Sequence, residues 1–369
     1  MRAHSSDKWL IGLLIAFVLL GLFMVFNASS TRALIVKNDP FFYFKKQLAY
    51  LGLGLIGFWL AFKIKHKLWQ KFSFLILVLG FGLISAVFIP GIGSTLQGAT
   101  RWLNLGPVSI QPAEFFKISL IIYLASFFSK RQAPTKINSF LETALPFLVI
   151  LGLFGGILLS QKSFGMLAII TGIALAIYFA SGVSLKNLFQ LAVPLALIMI
   201  FFLLSAPYRV ERLKTFLQPE QDPLGSGYQI NQALISIGSG GISGVGLGHS
   251  RQKFNFLPET MGDSIFAIWA EETGFIGSAG LLTLIGIFFI RGFRISRMSR
   301  DMFSKLLAFG ITFAITFQFL FNIAAISNLI PLSGIPLPFF SYGGSSLIST
   351  LIMYGVLLNI SKYTVKTKT

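Results

Sequence analysis

The sequence predicts an all-α integral membrane protein, a bundle of about ten transmembrane helices with a large extracytoplasmic loop and a re-entrant segment before the last helix. Composition points there first. Of the 369 residues, 54% are hydrophobic and 11% are charged, whereas a soluble domain carries roughly a quarter charged residues. The apolar residues also gather into ten runs, each close to the roughly 17–25 residues that a helix needs to cross a bilayer. Charge supplies the third observation, because eighteen of the 30 Lys and Arg fall on one set of alternate connections. The positive-inside rule puts those connections and both termini in the cytoplasm and the long loops outside.

The runs are 10–27, 45–62, 72–89, 113–128, 140–160, 165–181, 187–204, 264–290, 306–326 and 345–360. The first is a span rather than a cleavable signal: its apolar run is as long as a full crossing, and Asn27-Ala28-Ser29-Ser30 is a weak cleavage site. The basic connections hold Arg2 and Lys8, then Lys63, Lys65, Lys67 and Lys71, then Lys130, Arg131 and Lys136. They continue with Lys186, with Arg291, Arg294, Arg297, Arg300 and Lys305, and with Lys362, Lys366 and Lys368. The opposite side receives 28–44, 90–112, 205–263 and 327–344, and long loops gathered on one face usually carry function. The connections are too short to separate domains and there is no convincing repeat, so 1–369 reads as one polytopic unit. With no cysteine, a disulfide framework, a thiolate metal site and a cysteine nucleophile are excluded. His4, His66 and His249 lie too far apart in this topology for a histidine metal site.

The net charge of +18 partly reflects anchoring to anionic lipid. That does not explain Arg209, Arg212, Lys214, Arg251 and Lys253 in the largest outer loop, which suit an anionic ligand such as a phosphate or pyrophosphate. Nucleic acid is not an expected partner, since no soluble basic module exists. Three acids enter the eighth run: Asp263 at its edge, then Glu271 and Glu272 two turns in. Ionisable groups at membrane depth make a functional site the default expectation. Asp263 is either a helix N-cap or a catalytic carboxylate that takes a proton or holds a divalent cation, magnesium or manganese. Glu271 and Glu272 differ by about 100° in direction, so at most one is expected to face a given cavity, with Glu272 the substrate-facing candidate.

Other candidates come from the remaining outer loops. Arg101 and Trp102 pair a bidentate phosphate binder with a ring that either packs on a sugar or anchors at the interface. Gln111-Pro112-Ala113-Glu114 reads as a helix start, and Glu114 and Lys117 share one helix face. They form either a structural ion pair or part of a substrate cavity. The glycines from Gly238 to Gly248 lack a P-loop ending, leaving close backbone approach or an anion-binding nest. The segment Pro331 to Ser346 is expected to be re-entrant or packed inside the bundle, with Ser341 and Tyr342 offering hydrogen bonds to a substrate or forming a hinge.

The motifs MVFNASS, GATRWLNLGPVSIQPAEFFK, DPLGSGYQINQALISIGSGGISGVGLG, FLPETMGDSIFAIWAEETGFIG and GIPLPFFSYGGSS, in this order, resemble those of the SEDS family, the group of FtsW, RodA and SpoVE. The wording around Arg101 is closer to the FtsW branch. The resemblance implies a ten-helix glycosyltransferase, a peptidoglycan polymerase acting on lipid II at the outer face of the cytoplasmic membrane. It also implies a class B penicillin-binding protein as transpeptidase partner, among other divisome or elongasome membrane proteins. Carried onto this chain, the family's essential aspartate is Asp263, its acid and base pair Glu114 and Lys117, and its Arg-Trp motif Arg101 and Trp102. Two departures stand out. Gln161-Lys162-Ser163-Phe164-Gly165 replaces a Gln-Pro-Asp-Phe-Gly common in relatives, and Met261-Gly262-Asp263 replaces a His-Thr-Asp of the division branch. A lipid II flippase and a noncatalytic division scaffold are the alternative functions.

Overall fold

The computed structural model of the protein describes residues 5–96, 99–104, 106, 109–222, 225–254 and 256–365. Arg2, His4, Lys366 and Lys368 lie outside the described residues. The chain runs through α1 (Lys8–Lys37), α2 (Phe42–Lys63), α3 (His66–Lys71), α4 (Ser73–Ser85), β1 (Gly93–Leu96), β2 (Ala99–Asn104) and β3 (Ser109–Ile110). It continues with α5 (Pro112–Ser129), α6 (Pro134–Ile137), a π turn (Phe140–Ala144), α7 (Leu145–Ser160), α8 (Phe164–Ala180) and α9 (Leu185–Leu204). It ends with α10 (Pro207–Leu217), α11 (Ser226–Ser239), α12 (Ile265–Met298), α13 (Met302–Ile326) and α14 (Gly344–Ser361).

Every apolar run is helical, and seven helices are long and apolar enough to cross a membrane. Two shorter apolar stretches, Ser73–Phe88 and Phe164–Ala180, accompany them. This is a multi-pass membrane protein. Helices α1 and α12 outrun their apolar runs, to Lys37 and Met298, because polar and basic residues outside a hydrocarbon layer still favour continued helix. Helix α14 is buried along most of its length against α2, where Gly54 and Gly355 let the backbones approach, the small-residue packing of membrane helices. By contrast, Leu191 is the one buried residue of α9.

The all-α expectation needs one correction. The segment before α5 forms a three-stranded antiparallel sheet in the order β1-β2-β3, pairing Ser94 with Trp102 and Leu103 with Ile110. The reason is local: ATRWLN combines β-branched and aromatic residues, and Ala99 and Leu103 go to the buried side.

The long connection before α12 is also more ordered than its glycine content suggests. Helix α12 breaks at Gly274, whose φ of 64° and ψ of −161° are not helical. Residues 241–246 lie against the break: the Val245 and Gly246 amides donate to the Glu271 and Glu272 carbonyls at 3.0 and 3.1 Å. In return the Phe275 and Ile276 amides donate to the Gly241 and Ile242 carbonyls at 2.9 and 3.1 Å. Backbone groups freed by the break are thereby satisfied inside the protein. The glycine cluster therefore serves close approach; the amides of 245 and 246 are spent on α12 rather than presented as a nest.

Gly244 illustrates the requirement, since its φ is +80° and a Cβ there would collide with the Glu272 carbonyl. Gly244→Ala is expected to destabilise the protein by at least about 1–3 kcal/mol, the usual scale for a strained left-handed residue. Thermal unfolding in detergent checks this, and an unchanged midpoint would contradict the clamp.

The segment before α14 is irregular but buried, with Ile335, Leu337, Phe339 and Phe340 in the core. Its Ile335 and Pro336 carbonyls accept hydrogen bonds from Asn322 at 2.7 Å and Gln318 at 3.1 Å, both on α13. The Tyr342 amide donates to the Met261 carbonyl at 2.7 Å, which ties this segment to the start of α12.

Candidate functional site

Asp263 stands two residues before α12. Ser264 occupies the N-cap position, so Asp263 is not the helix cap. Its surroundings hold it from three directions. Asn322 donates to its backbone carbonyl at 2.9 Å. Ser341 donates to the Gly262 carbonyl at 2.7 Å. Gln229 on α11 donates to the Asp263 carboxylate at 3.3 Å and to the Ser264 hydroxyl at 2.9 Å. Burial pushes the Asp263 carboxyl up to about 6, and the charge of Glu259 adds to the rise. The Gln229 hydrogen bond and the Arg212 charge offset only part of that shift.

Beside this carboxylate lies a cavity of about 210 Å³ that combines bases with apolar walls. Arg101, Lys162, Arg209 and Arg212 line it, together with Leu203 and Phe321. Arg101 reaches across from β2 and donates to the Gln161 and Lys162 carbonyls. The Arg212 guanidinium donates to the Leu332 carbonyl at 3.4 Å. Phe164 and Gly165 also line the cavity, so the first turn of α8 adds its partial positive charge. Arg212 and Ser333 belong to this wall, and the next residue, Gly334, approaches the Asp263 carboxylate. Arg101 and Arg212 thus share one cavity, and the Arg212 charge acts on the Asp263 carboxyl.

Several expected site residues are elsewhere. Glu114 and Lys117 form an ion pair of 2.8 Å, but both side chains are fully buried. Ser349 donates to Glu114 at 3.3 Å, and Lys117 donates to Gln318. The pair therefore supports the Pro336 segment from behind, through Gln318, instead of lining the cavity. Ser341 also needs correction as a substrate contact: its hydroxyl already donates to Gly262 and accepts from the Leu337 amide at 2.8 Å. Tyr342 packs edge-on against Tyr43, with ring centroids 5.3 Å apart. Trp102 is half-buried in β2 and is not among the residues lining the cavity.

Lys253 and Glu272 are corrected more fully. The Lys253 ammonium donates to Asn27 at 2.7 Å, to the Gly248 carbonyl at 2.6 Å and to Glu272 at 3.1 Å. An ammonium has three hydrogens, and all are used. Glu272 also accepts from Asn27 and from the Ser250 amide at 3.3 Å, while Glu271 accepts from the Ser250 hydroxyl and from the Arg251 amide at 2.9 Å. Both acids thus converge on residues 250–253, where loop ordering overrides the simple 100° argument. This cluster joins the connection before α12 to α1 and α12 and commits the Lys253 ammonium entirely to the protein's own groups.

Sequence reasoning missed Gln229, Gln318 and Asn322. The last two carried a signal, because two amides four residues apart mark one face of an otherwise apolar helix.

The geometry has close counterparts. Residues 7–366 match the cell cycle protein family of FtsW, RodA and SpoVE. The chain belongs to the FtsW/RodA/SpoVE family. Relatives of this family member include stage V sporulation protein E of Bacillus subtilis (strain 168), 39% identical over 98% of both chains. A probable peptidoglycan glycosyltransferase FtsW of Geobacter sp. (strain M18) is 36% identical, also over 98% of both. Among solved structures, a chain from a peptidoglycan synthase complex, described for its structural coordination of polymerization and crosslinking, matches with TM-score 0.80 and 28% identity. That match covers 96% of this chain and 97% of the other. The rod shape determining protein RodA of Thermus thermophilus shares the fold, with TM-score 0.71 at 24% identity over 98% of both chains.

Proposed function

We propose that this chain is a peptidoglycan glycosyltransferase that polymerises lipid II at the outer face of the bacterial cytoplasmic membrane. The observation that carries this reading is the basic, apolar-walled cavity whose Arg212 acts on the Asp263 carboxyl and whose Ser333 precedes the glycine beside that carboxylate. Asp263 accepts the proton of the acceptor GlcNAc 4-hydroxyl as that oxygen attacks the anomeric carbon of the donor MurNAc. The bond from that carbon to the pyrophosphate oxygen breaks, and undecaprenyl pyrophosphate leaves with the bonding electrons. Arg101, Lys162, Arg209 and Arg212 stabilise the departing charge, while Leu203 and Phe321 offer apolar surface to the prenyl chain.

No cluster of three or more acids or histidines is present among the described residues. A magnesium or manganese ion would instead rest on Asp263 and Glu259 plus the substrate phosphates, a donor set that suits magnesium. Its chemistry would be charge neutralisation on the pyrophosphate.

The topology proposed with this function has ten spans, both termini cytoplasmic and the segment before α14 re-entrant from outside. Reporter fusions after Arg131 and Arg300 are expected to read cytoplasmic and one at Pro219 external; an external signal at either basic loop would refute it. A class B penicillin-binding protein is the proposed partner, supplying the transpeptidase. Other divisome or elongasome membrane proteins join it. The flippase alternative needs polar groups along a path open alternately to both faces, and the sealed burial of Glu114 and Lys117 gives it no support.

The enzymatic reading is tested by giving labelled lipid II to the purified protein with its partner and resolving the glycan chains. Its pH profile has a defined sign. A base that titrates at about 6 must be ionised, so the rate is expected to be level above pH 7 and to fall tenfold per unit well below pH 6. A rate unchanged down to pH 5 would exclude Asp263 as the base.

A further inference from the structure

At the base-rich end of the bundle, α1 and α12 part to leave a second cavity of about 430 Å³. The helices touch above it through Phe17 and Phe288, ring centroids 6.4 Å apart, and below it through the Asp7–Arg291 ion pair of 3.2 Å. Between these ties the walls are Gly12, Ala16, Leu284 and Ile287, with Lys8 and Trp9 at the mouth. The space is open at its centre: a Cβ added to Gly12 would meet nothing within 4 Å. Trp9 is 63% exposed, and the Arg291 guanidinium lies 5.6 Å from its ring. Lys8 is exposed and makes no ion pair among the described residues.

We propose that this groove binds one anionic phospholipid, its acyl chain along Gly12, Ala16, Leu284 and Ile287 and its phosphate against Lys8. The charge pattern selects this occupant. An apolar groove facing hydrocarbon gives no preference among lipids, but a cation at its mouth favours an anionic headgroup, as in other basic pockets between transmembrane helices. Trp9 sits where an indole ring is favoured, at the boundary between acyl chain and headgroup. Arg291 is tied to Asp7 and is not among the residues lining the groove, whereas Lys8 is, so Lys8 is the base placed to meet the phosphate. The site is remote from Asp263 and does not depend on the glycosyl transfer reading.

The test uses the full-length protein in detergent, with phosphatidylglycerol and phosphatidylcholine titrated separately and bound lipid counted by native mass spectrometry. Wild type is expected to hold one phosphatidylglycerol about five-fold more tightly than phosphatidylcholine, the scale of a single base near an anionic headgroup. Lys8→Gln removes that preference while leaving weak binding of both lipids. Gly12→Leu, which fills open space, removes the site for both, and Ala16→Leu does the same from the neighbouring turn. Thermal unfolding confirms that each variant is folded. Equal affinity of wild type for the two lipids overturns the proposal, as does undiminished phosphatidylglycerol binding by folded Gly12→Leu and Ala16→Leu. If both variants instead lose the transpeptidase partner while keeping the lipid preference, the groove holds a partner helix and the lipid proposal fails.

Discussion

Asp263→Asn is expected to lower glycan synthesis by roughly 10²-fold or more, the usual scale for loss of a general base, while the protein folds and binds its partner normally. The substitution keeps the side chain's shape and leaves an oxygen to accept the Gln229 hydrogen bond now at 3.3 Å. It removes the base and the negative charge. Stability should move the other way. A carboxyl raised from 3.8 to about 6 by burial and Glu259 favours the folded state below the unfolded pKa, and that advantage is lost as pH rises through 6. Near neutrality the ionised Asp263 is therefore a liability to folding, and asparagine relieves it. Lower activity with an equal or higher unfolding midpoint is the expected pair of results. A folded Asp263→Asn protein that polymerises normally would eliminate the mechanism.

Breaking the Glu114–Lys117 pair is expected to be the most damaging change to stability. Lys117→Met leaves a fully buried carboxylate whose Oε1 already lacks a hydrogen-bond partner, with only Ser349 remaining on Oε2. The expected loss is about 3–5 kcal/mol, the range for stranding one member of a buried ion pair. It also removes the donor to Gln318, whose amide holds the Pro336 carbonyl, so the segment beside Asp263 should loosen as well. Combining Lys117→Met with Glu114→Gln should recover much of the stability, because neither charge is then left alone. Unfolding in detergent and polymerisation at matched folded protein levels measure both effects. Strictly additive losses would show that the two residues act independently.

These expectations also mark what could be read from the sequence. The helices were legible because a membrane helix must be apolar over a fixed length, and each of the runs from 10–27 to 345–360 became helical. The sheet around Trp102 was not, since a short connecting segment carries no such length constraint. Arg101, Arg212 and Asp263 were legible as charges on the long connections; Arg101 and Arg212 line one cavity, and the Arg212 charge acts on the Asp263 carboxyl. Lys253 and Glu272 carried the same signal, yet they pair with each other and with Asn27, a residue more than 200 positions away in sequence. Charge alone does not say whether an ammonium meets a ligand or a carboxylate of its own chain. Ser341 was misread for a related reason, because its hydroxyl is used by Leu337 and Gly262 before any substrate arrives.

The most direct test of the central proposal is to find where lipid II sits. A photoreactive amino acid placed at Leu203 or Phe321, in the wall of the cavity beside Asp263, is to be irradiated in membranes supplied with labelled lipid II. A control at Leu148 lines a different cavity, with Tyr178 and Asn187. Crosslinking at Leu203 and Phe321, reduced when Arg101 and Arg212 are both replaced by Ala and absent at Leu148, is the expected result. Labelling at Leu148 with none at Leu203 or Phe321 would contradict it.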